Sequence, residues 1–518
     1  MPRLAFKPDS SFFRKIVIGA VGTRTVAANL AAYKHEIVEL ERGSLDTKLW
    51  KEVKRKRVRI PDLVCLRCGV RVESRAKTKP ELAMSHSASE EARSWDFGMV
   101  DSDWIAFPIC EAIDEKFWSV GKLNENSSYW HERNWIRWNS HSYINYFTVR
   151  AFRSTPASAT STKGVTEGSE TTLAWDAVFV SRPAVVEVLE GQRLTVRRDS
   201  DGHLQTRTVR PGLTVLVRER DRLQKHQVIA SAVMPLTVRH LACPGRMPRN
   251  HISDLLSSRE RTQRFTGVKL ARLRNERSHR KLIRDLARDD EEDIYIRLEA
   301  ISYLASVVGE SARELFAPYI HSSDNQTQLE AIIALGETAT DEAIQILSEI
   351  LGNAQNPYFI RSAAAWCLSR MAREEAAARL KDAFSDVDVK IREEALEGIV
   401  AIGGPAIPIL LAGLEEADDR IVAGCAEALR QQQPLQDSAI SRLANQLRKE
   451  HPSEWVAWLF GHLSRDQVAA AIADLQERSP ELHYAISVLW SFVDSWIARR
   501  WELSPGTTFP LAEEAENV

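Results

Sequence analysis

Residues 59–77 read RIPDLVCLRCGVRVESRAK, and the reading of this stretch decides how the N-terminal part of the chain folds. Asp62 follows Pro61, Glu73 comes eleven positions later, and Arg75 and Lys77 stand two and four positions beyond Glu73. Val70, Val72 and Ser74 alternate with Arg71, Glu73, Arg75 and Lys77, which is the two-residue period of a β-strand. On a strand, Glu73 and the two following cations share one face. Carboxylates meeting a cation at a sheet edge are the residue types that metal-assisted phosphodiester cleavage uses. The acids hold Mg²⁺, which polarises the phosphoryl oxygen and activates water, and the cation stabilises the charge that develops.

On these residues the segment resembles the core of the PD-(D/E)xK restriction-endonuclease-like superfamily, with Pro61 and Asp62 as the PD and Glu73 as the second acid. The resemblance covers residues 10–110. It implies an endonuclease-like α/β domain over residues 1–115, with Mg²⁺ or Mn²⁺ held by Asp62 and Glu73. The family places a lysine two residues after the second acid, where this chain has Arg75. An arginine keeps its proton and presents a rigid fork, so Lys77, one pleat further along the same face, is the alternative cation. Members of that family often add an acid from the first helical region, and Glu41 in HEIVELERG is the candidate; the other reading of Glu41 is an exposed helix end.

At 518 residues the chain is expected to hold about three domains. The composition, 44% hydrophobic and 27% charged, is that of a globular protein, and no apolar run has the length of a membrane span. Six cysteines over this length do not suggest a disulfide framework, so a cytoplasmic location is expected. The net charge of −2 conceals an asymmetry. Residues 1–288 hold 51 Lys and Arg against 32 Asp and Glu, a balance of +19, whereas residues 289–518 hold 18 against 39, a balance of −21. An anion-binding half joined to an acidic half, or two halves that attract each other, fits these numbers.

Residues 9–33 run apolar and Ala-rich after an Asp and two Ser that suit a helix start, and read as a helix packed on the following sheet. Their GAVG lacks the third glycine and the later acid of a dinucleotide fingerprint. The basic run KEVKRKRVR (51–59) before Asp62 suits a phosphate backbone or a solvated face. TKPELAMSHS reads as a further strand, and DWIAFPIC as a buried one. Cys65 and Cys68 form C-x-x-C followed by Gly, half of a structural zinc site. No second C-x-x-C exists, so Cys110, Cys243 or His86 would have to complete it from a distance, and half-buried thiols are the favoured reading over zinc or a redox pair.

Residues 116–172 read as a Trp-rich connector and a Ser/Thr/Gly linker, the aromatics there serving packing rather than base stacking. Residues 173–250 switch to short strands with a hairpin signal at Asp201-Gly202, and predict a small β-barrel-like domain. Its closing strand-turn-strand weakly resembles biotinyl/lipoyl-type barrel-sandwich modules, with Arg220 and His226 where those have turn glycines and no carrier lysine. Residues 251–288 form a basic helical connector; from Gln205 to Arg288 there are 20 Lys or Arg against 6 Asp or Glu. Such helices would track phosphates or grip the acidic half.

From residue 289 the chain repeats. Ile296, Thr327, Ile360, Ile391 and Ile421 open similar helices at spacings of 31, 33, 31 and 30 residues, and D-x-x-I-R-x-E-A-L resembles short HEAT-like repeats. An α-solenoid over 289–433 with a Trp-rich helical cap over 434–518 is predicted, its acidic surface suited to a basic protein partner or to the chain's own basic half. The fold class is thus multidomain α+β. The function these readings imply is a metal-dependent nuclease acting on DNA rather than RNA through the basic half, with a repeat scaffold. A nuclease joined to repeats suggests, by analogy, antiviral defence or DNA processing in bacteria. The alternative is an inactive scaffold on the same fold that binds nucleic acid or protein. Short repeats of this kind also occur in bilin lyases, but nothing marks a chromophore site.

Overall fold

The computed structural model describes residues 10–45, 59–87, 90–112, 138–161, 170–432 and 434–502. The basic run 51–58, most of the Trp-rich connector and the linker core at 162–169 lie outside the described residues. The chain divides into two compact units, one ending at Tyr303 and one starting at Leu304.

The first unit opens with helix α1 (Ser10–Ala32), whose Val26 and Leu30 are fully buried. Gly19 and Gly22 lie inside this helix, and a Cβ on Gly22 would stand 2.5 Å from that of Ala76. The glycine thus lets α1 close on the chain leaving the sheet, and the segment is no phosphate-binding turn. Strands β1 (Ile37–Glu39), β2 (Leu63–Cys65), β3 (Arg71–Ser74), β4 (Leu82–Ser87), β5 (Trp104–Phe107), β6 (Glu111–Ala112), β7 (Trp138–Asn139) and β8 (Asn145–Thr148) follow.

Five of these make the central sheet, in the order β1-β2-β3-β5-β8. Strand β2 runs antiparallel to both β1 and β3, β3 is parallel to β5, and β8 closes the sheet antiparallel to β5. The two faces follow the strand period. Leu63, Val72, Ala106 and Tyr146 pack with Val26 and Leu30 of α1. Ile105, Phe107 and Phe147 pack on the other side with Met84, Trp95 and Trp175, and with Phe152 of the short helix α2 (Val149–Arg153). Phe152 and Trp175 meet edge-on at 4.8 Å.

Two expectations need correction here. HEIVELERG is a strand and a turn, not a helix end: Ile37–Glu39 pairs with Leu63–Cys65, because β-branched residues there fit a pleated sheet edge. The connector assigned to 116–172 also contains sheet. Asn145–Thr148 is an edge strand of the central sheet, and β9 (Ser158–Ser161) with β10 (Glu170–Trp175) adds to β4. Of the described aromatics of this region, Tyr146, Phe147 and Phe152 pack the core.

A second group of strands comprises β11 (Ala177–Phe179), β12 (Ala184–Glu190), β13 (Arg193–Arg198), β14 (Leu204–Thr208), β15 (Thr214–Val215), β16 (Arg222–Leu223) and β17 (Val228–Ser231). They form sheets ordered β14-β13-β12-β16 and β11-β17-β15, over a core of Val186, Leu194, Val196, Leu223 and Ile229. Gly202 turns the β13–β14 hairpin. Arg220 and His226 adopt left-handed backbone at φ 70° and 66°, where the resembled modules have glycine.

Helices α3 (Val238–Leu241), α4 (His251–Leu256), α5 (Arg261–Leu273), α6 (Arg280–Arg288) and α7 (Ile294–Tyr303) complete the first unit. The basic connector is largely built into the fold. Lys269 and Arg272 of α5 are buried, Lys269 donating to the Leu40 carbonyl at 3.3 Å and Arg272 to Glu299 at 2.6 Å. Arg42 also pairs with Glu299, and Arg264 with Glu292 at 2.5 Å. These arginines grip the first acidic residues after the connector.

The second unit is helical throughout its described residues. Helices α8 (Ala312–Ile320), α9 (Asn325–Gly336), α10 (Asp341–Gly352), α11 (Tyr358–Arg370), α12 (Glu374–Asp382), α13 (Val389–Ile402), α14 (Ile407–Gly413) and α15 (Asp419–Gln431) alternate between two layers. One layer stacks α9, α11, α13 and α15, the other α10, α12 and α14. Thr327, Ile360, Ile391 and Ile421 each occupy the third position of their helix. Further helices follow, α16 (Asp437–Leu447), α17 (Glu454–His462), α18 (Arg465–Val468), α19 (Leu475–Arg478) and α20 (Pro480–Glu502). Trp490 of α20 donates to the Phe460 carbonyl of α17 at 2.8 Å. Among the described residues no single helix is long and apolar enough to cross a membrane.

Candidate functional site

The β2–β3 hairpin carries chemistry at both ends. At its open end, Asp62 sits just before β2 and its Oδ2 accepts a hydrogen bond from the Ser74 backbone amide at 2.8 Å. The chain leaving β1 crosses the same point, with the amides of Leu40 and Glu41 donating to the Asp62 carbonyl at 2.7 and 3.3 Å. Glu73 is buried on β3, and Arg75 reaches back to it at 3.1 Å while donating to the Trp95 carbonyl at 3.0 Å.

Arg59 lies in the middle of this group and donates to the Ser94 carbonyl at 2.8 Å. Burial, and then the neighbouring Arg75, pull Arg59 below its ordinary value, against the opposing field of Glu73, Glu41 and Asp62. Gly98, at φ 78°, brings the loop after Trp95 over Arg59; a Cβ there would fall 1.9 Å from the Arg59 carbonyl oxygen. Glu41, Asp62, Glu73 and Arg75 thus all lie within electrostatic range of Arg59, and Arg75 pairs directly with Glu73. Among the described residues the three acids do not form a group whose oxygens all lie within 4.8 Å of one another.

Lys77 does not join these acids. Its ammonium pairs with Glu81 at 3.4 Å, and burial lowers its pKa. Its backbone carries the parallel pairing of β3 with β5 onward in the same register, bridging Ile109, and this extra length takes its ammonium past the acids to Glu81. The cation beside Glu73 is thus Arg75.

Arg71 shares the Glu73 face of β3 and forms a buried two-pronged pair with Asp103, at 2.9 Å from Nε and 2.5 Å from Nη2. Its remaining nitrogen contacts the Thr266 hydroxyl of α5 at 3.2 Å. Asp103 also accepts from the Val100 amide at 2.8 Å. Sequence reading missed this pair, because Asp103 opens a strand thirty-two residues away and nothing in either local pattern marks it.

At the closed end of the hairpin, Cys65 and Cys68 meet His35 and Cys243, with the four ligand-type atoms all within 4.8 Å of one another. Cys243 was among the distant residues the C-x-x-C could recruit; His35 was not. Cys110 and His86 stand elsewhere, Cys110 donating to the Ile18 carbonyl and His86 lying on β4. The Cys68 thiol, as donor, holds Cys65 well below the ordinary thiol range, and the same bond pushes Cys68 up.

A model of HEAT repeats matches residues 280–360, 313–399 and 353–430. No curated protein matches the chain. Among solved structures, the CpcE–CpcF complex of phycocyanin lyase from Nostoc sp. PCC7120 is 19% identical, covering 40% of this chain and 94% of that chain at a TM-score of 0.21. Human deoxyhypusine hydroxylase in complex with glycerol is 17% identical, covering 45% and 86% at a TM-score of 0.18. An engineered protein is 19% identical, covering 43% and 95% at a TM-score of 0.19. HEAT repeats therefore form the helical region of this chain from residue 280 to residue 430.

Proposed function

We propose that the first unit is a metal-dependent nuclease of the PD-(D/E)xK type that acts on DNA, with the HEAT repeats as its protein-binding scaffold. The observation that carries this reading is that the Asp62 carboxylate is held on the amide of Ser74, the residue after Glu73, while the Glu41 amide is held on the Asp62 carbonyl and Arg75 pairs with Glu73 at 3.1 Å. The resemblance implies a helix, strands with the acids, a helix and then a strand. Helix α1, the β2–β3 strands and β5 are in keeping with that order, while the helix expected before β5 is only the short turn Glu91–Arg93 among the described residues.

The donor set is all oxygen, which suits Mg²⁺ or Mn²⁺ over softer ions. Asp62 and Glu73 would hold the ion, with Glu41 as a third acid. When bound, the ion supplies Lewis-acid polarisation of the scissile phosphate and a more acidic water. Ser74, through its amide, fixes the Asp62 carboxylate ahead of any ligand. Arg75, always charged and forked, binds the non-bridging phosphate oxygens as their charge grows. The surplus of +19 over residues 1–288 draws the DNA backbone to this unit.

A second reading has one observation in its favour. Arg75 already neutralises Glu73 at 3.1 Å, and a chain that has lost its lysine can keep the fold as an inactive platform for nucleic acid or protein. One experiment separates the two. The full-length protein is incubated with plasmid and with single-stranded DNA in Mg²⁺, Mn²⁺ or EDTA, beside Asp62→Ala, Glu73→Ala and Arg75→Lys. The nuclease reading expects metal-dependent cutting lost in both alanine variants and raised in Arg75→Lys. Cutting that survives both alanine substitutions removes the site, and salt-sensitive binding without cutting under any condition selects the platform.

A further inference from the structure

We infer that His35, Cys65, Cys68 and Cys243 form a tetrahedral Zn²⁺ site. A tetrahedron with Zn–S of 2.3 Å and Zn–N of 2.0–2.1 Å requires sulfurs about 3.8 Å apart and sulfur to nitrogen about 3.6 Å apart. Here Cys65 and Cys243 place their sulfurs 4.0 Å apart, and Cys68 Sγ stands 3.6 Å from His35 Nδ1. No pair of the four ligand atoms exceeds 4.8 Å. A disulfide needs its sulfurs about 2 Å apart, so the 4.0 Å pair is not one. Zinc would draw each atom inward by tenths of an ångström.

The surrounding bonds hold the ligands in that arrangement. His35 Nε2 lies 2.9 Å from the Leu241 carbonyl; donating there fixes the tautomer that leaves the Nδ1 lone pair for the cluster, as ligating histidines do. The Gly245 amide donates to Cys243 Sγ at 3.4 Å, a contact that suits a thiolate. The three chain segments are tied by their backbones: Cys243 N donates to the Tyr33 carbonyl at 3.0 Å and Leu66 N to the Glu36 carbonyl at 2.8 Å. Arg274 adds a bond to the Leu66 carbonyl at 2.6 Å. Gly69, at φ 80°, completes the turn where a Cβ would meet the His251 ring at 2.4 Å. Cys65 and His35 are buried, which shields the site.

Binding releases the thiol protons, so that three thiolates and a neutral imidazole balance Zn²⁺ at a site charge of −1. All four positions are protein ligands, which is the pattern of a structural ion. It would tie the end of α1, the β2–β3 turn and the segment after α3 into one post at the opposite end of the hairpin from Asp62.

The test uses the full-length protein, expressed with added zinc and purified without chelator. Elemental analysis should find about one zinc per chain, and X-ray absorption should show three sulfurs and one nitrogen around it. Replacing zinc by Co²⁺ should give the intense visible bands of tetrahedral cobalt with sulfur-to-metal charge transfer. Cys243→Ser should lose the metal, and Cys110→Ser should keep it. If Cys243→Ser fails to fold, the absorption spectrum of the unaltered protein decides. A reduced protein that holds no zinc and takes up no cobalt overturns the inference, as does a shell of oxygens or a Cys65–Cys243 disulfide in the purified chain. Zinc content in Asp62→Ala should match the unaltered protein, so the nuclease reading can fail while this one stands.

Discussion

Asp103→Asn is the substitution that most directly tests how β3 holds Glu73 in place. Asp103 and Arg71 each have 3% of their side chains exposed, and they meet through two hydrogen bonds of 2.9 and 2.5 Å. The asparagine keeps the shape but turns one acceptor into a donor facing a guanidinium, and it leaves the Arg71 charge buried without its partner. A lost bond to a charged group costs about 1.5–3 kcal/mol. With the uncompensated charge the total comes to about 3–5 kcal/mol. Replacing both partners by Arg71→Met with Asp103→Leu removes the charge problem, and leaves mainly the Val100 amide without its acceptor, at about 1–3 kcal/mol. The double variant should therefore be more stable than Asp103→Asn. Native-state hydrogen exchange reads this locally. Protection over Arg71–Ser74 and Trp104–Phe107 should fall in Asp103→Asn and recover in the double variant, while Val389–Ile402 in the second unit stays unchanged. A loss under about 1 kcal/mol in Asp103→Asn, or a double variant no better than the single one, would refute the reasoning.

Three other predictions concern separate parts of the molecule. Gly98→Ala combines a left-handed backbone at φ 78° with a Cβ 1.9 Å from the Arg59 carbonyl, and should lower the melting temperature of the first unit by the equivalent of about 1–3 kcal/mol. Calorimetry on the full chain measures it, and an unchanged transition contradicts the close approach. Gly424→Ala in α15 would press a methyl to 2.5 Å from the Phe384 ring, costing about 1–3 kcal/mol in the second unit alone. The same calorimetric trace shows whether the two units respond separately. His226, next to Glu111 and Lys225, has its pKa lowered first by burial and further by Lys225, against Glu111. A histidine depressed in the folded state binds its proton more readily unfolded, so its stabilisation is complete above its ordinary pKa of about 6.5 and fades as pH falls below that. His226→Asn, which tolerates the left-handed backbone at this position, should lose less stability between neutral and mildly acid pH; an equal loss in both proteins counts against it.

The parts of the fold that repeat were legible from sequence, because Ile360 and Ile391 recur at the same point of successive helices and each pair must bury the same face. Strand β3 was legible too, since Val70, Val72 and Ser74 alternate with Arg71 and Glu73 at the two-residue period, although both of its faces turn out to be buried. Glu41 and its strand were not. A three-residue strand beside Glu-Leu-Glu carries too little pattern to outweigh helix propensity, and only pairing with Leu63–Cys65 decides it. The Cys and His cluster was half legible. C-x-x-C announces two ligands, but His35 and Cys243 are brought to it by the sheet and the segment after α3, and local sequence says nothing of either. Arg71 read as one cation among several on a basic face, although its partner was fixed by the parallel pairing of β3 with β5.

The bond of Glu299 to Arg42 and Arg272 bears on what can be transplanted. Glu299 is wholly buried, and it lies on the helix that opens the repeat pattern yet serves the first unit. A truncation at residue 288 would strand two arginines in the interior of what remains, and a graft of the repeats beginning at residue 289 would carry a glutamate evolved for a different host. The compact unit that holds the later repeats begins at Leu304, one helix beyond the point where the repeat spacing starts.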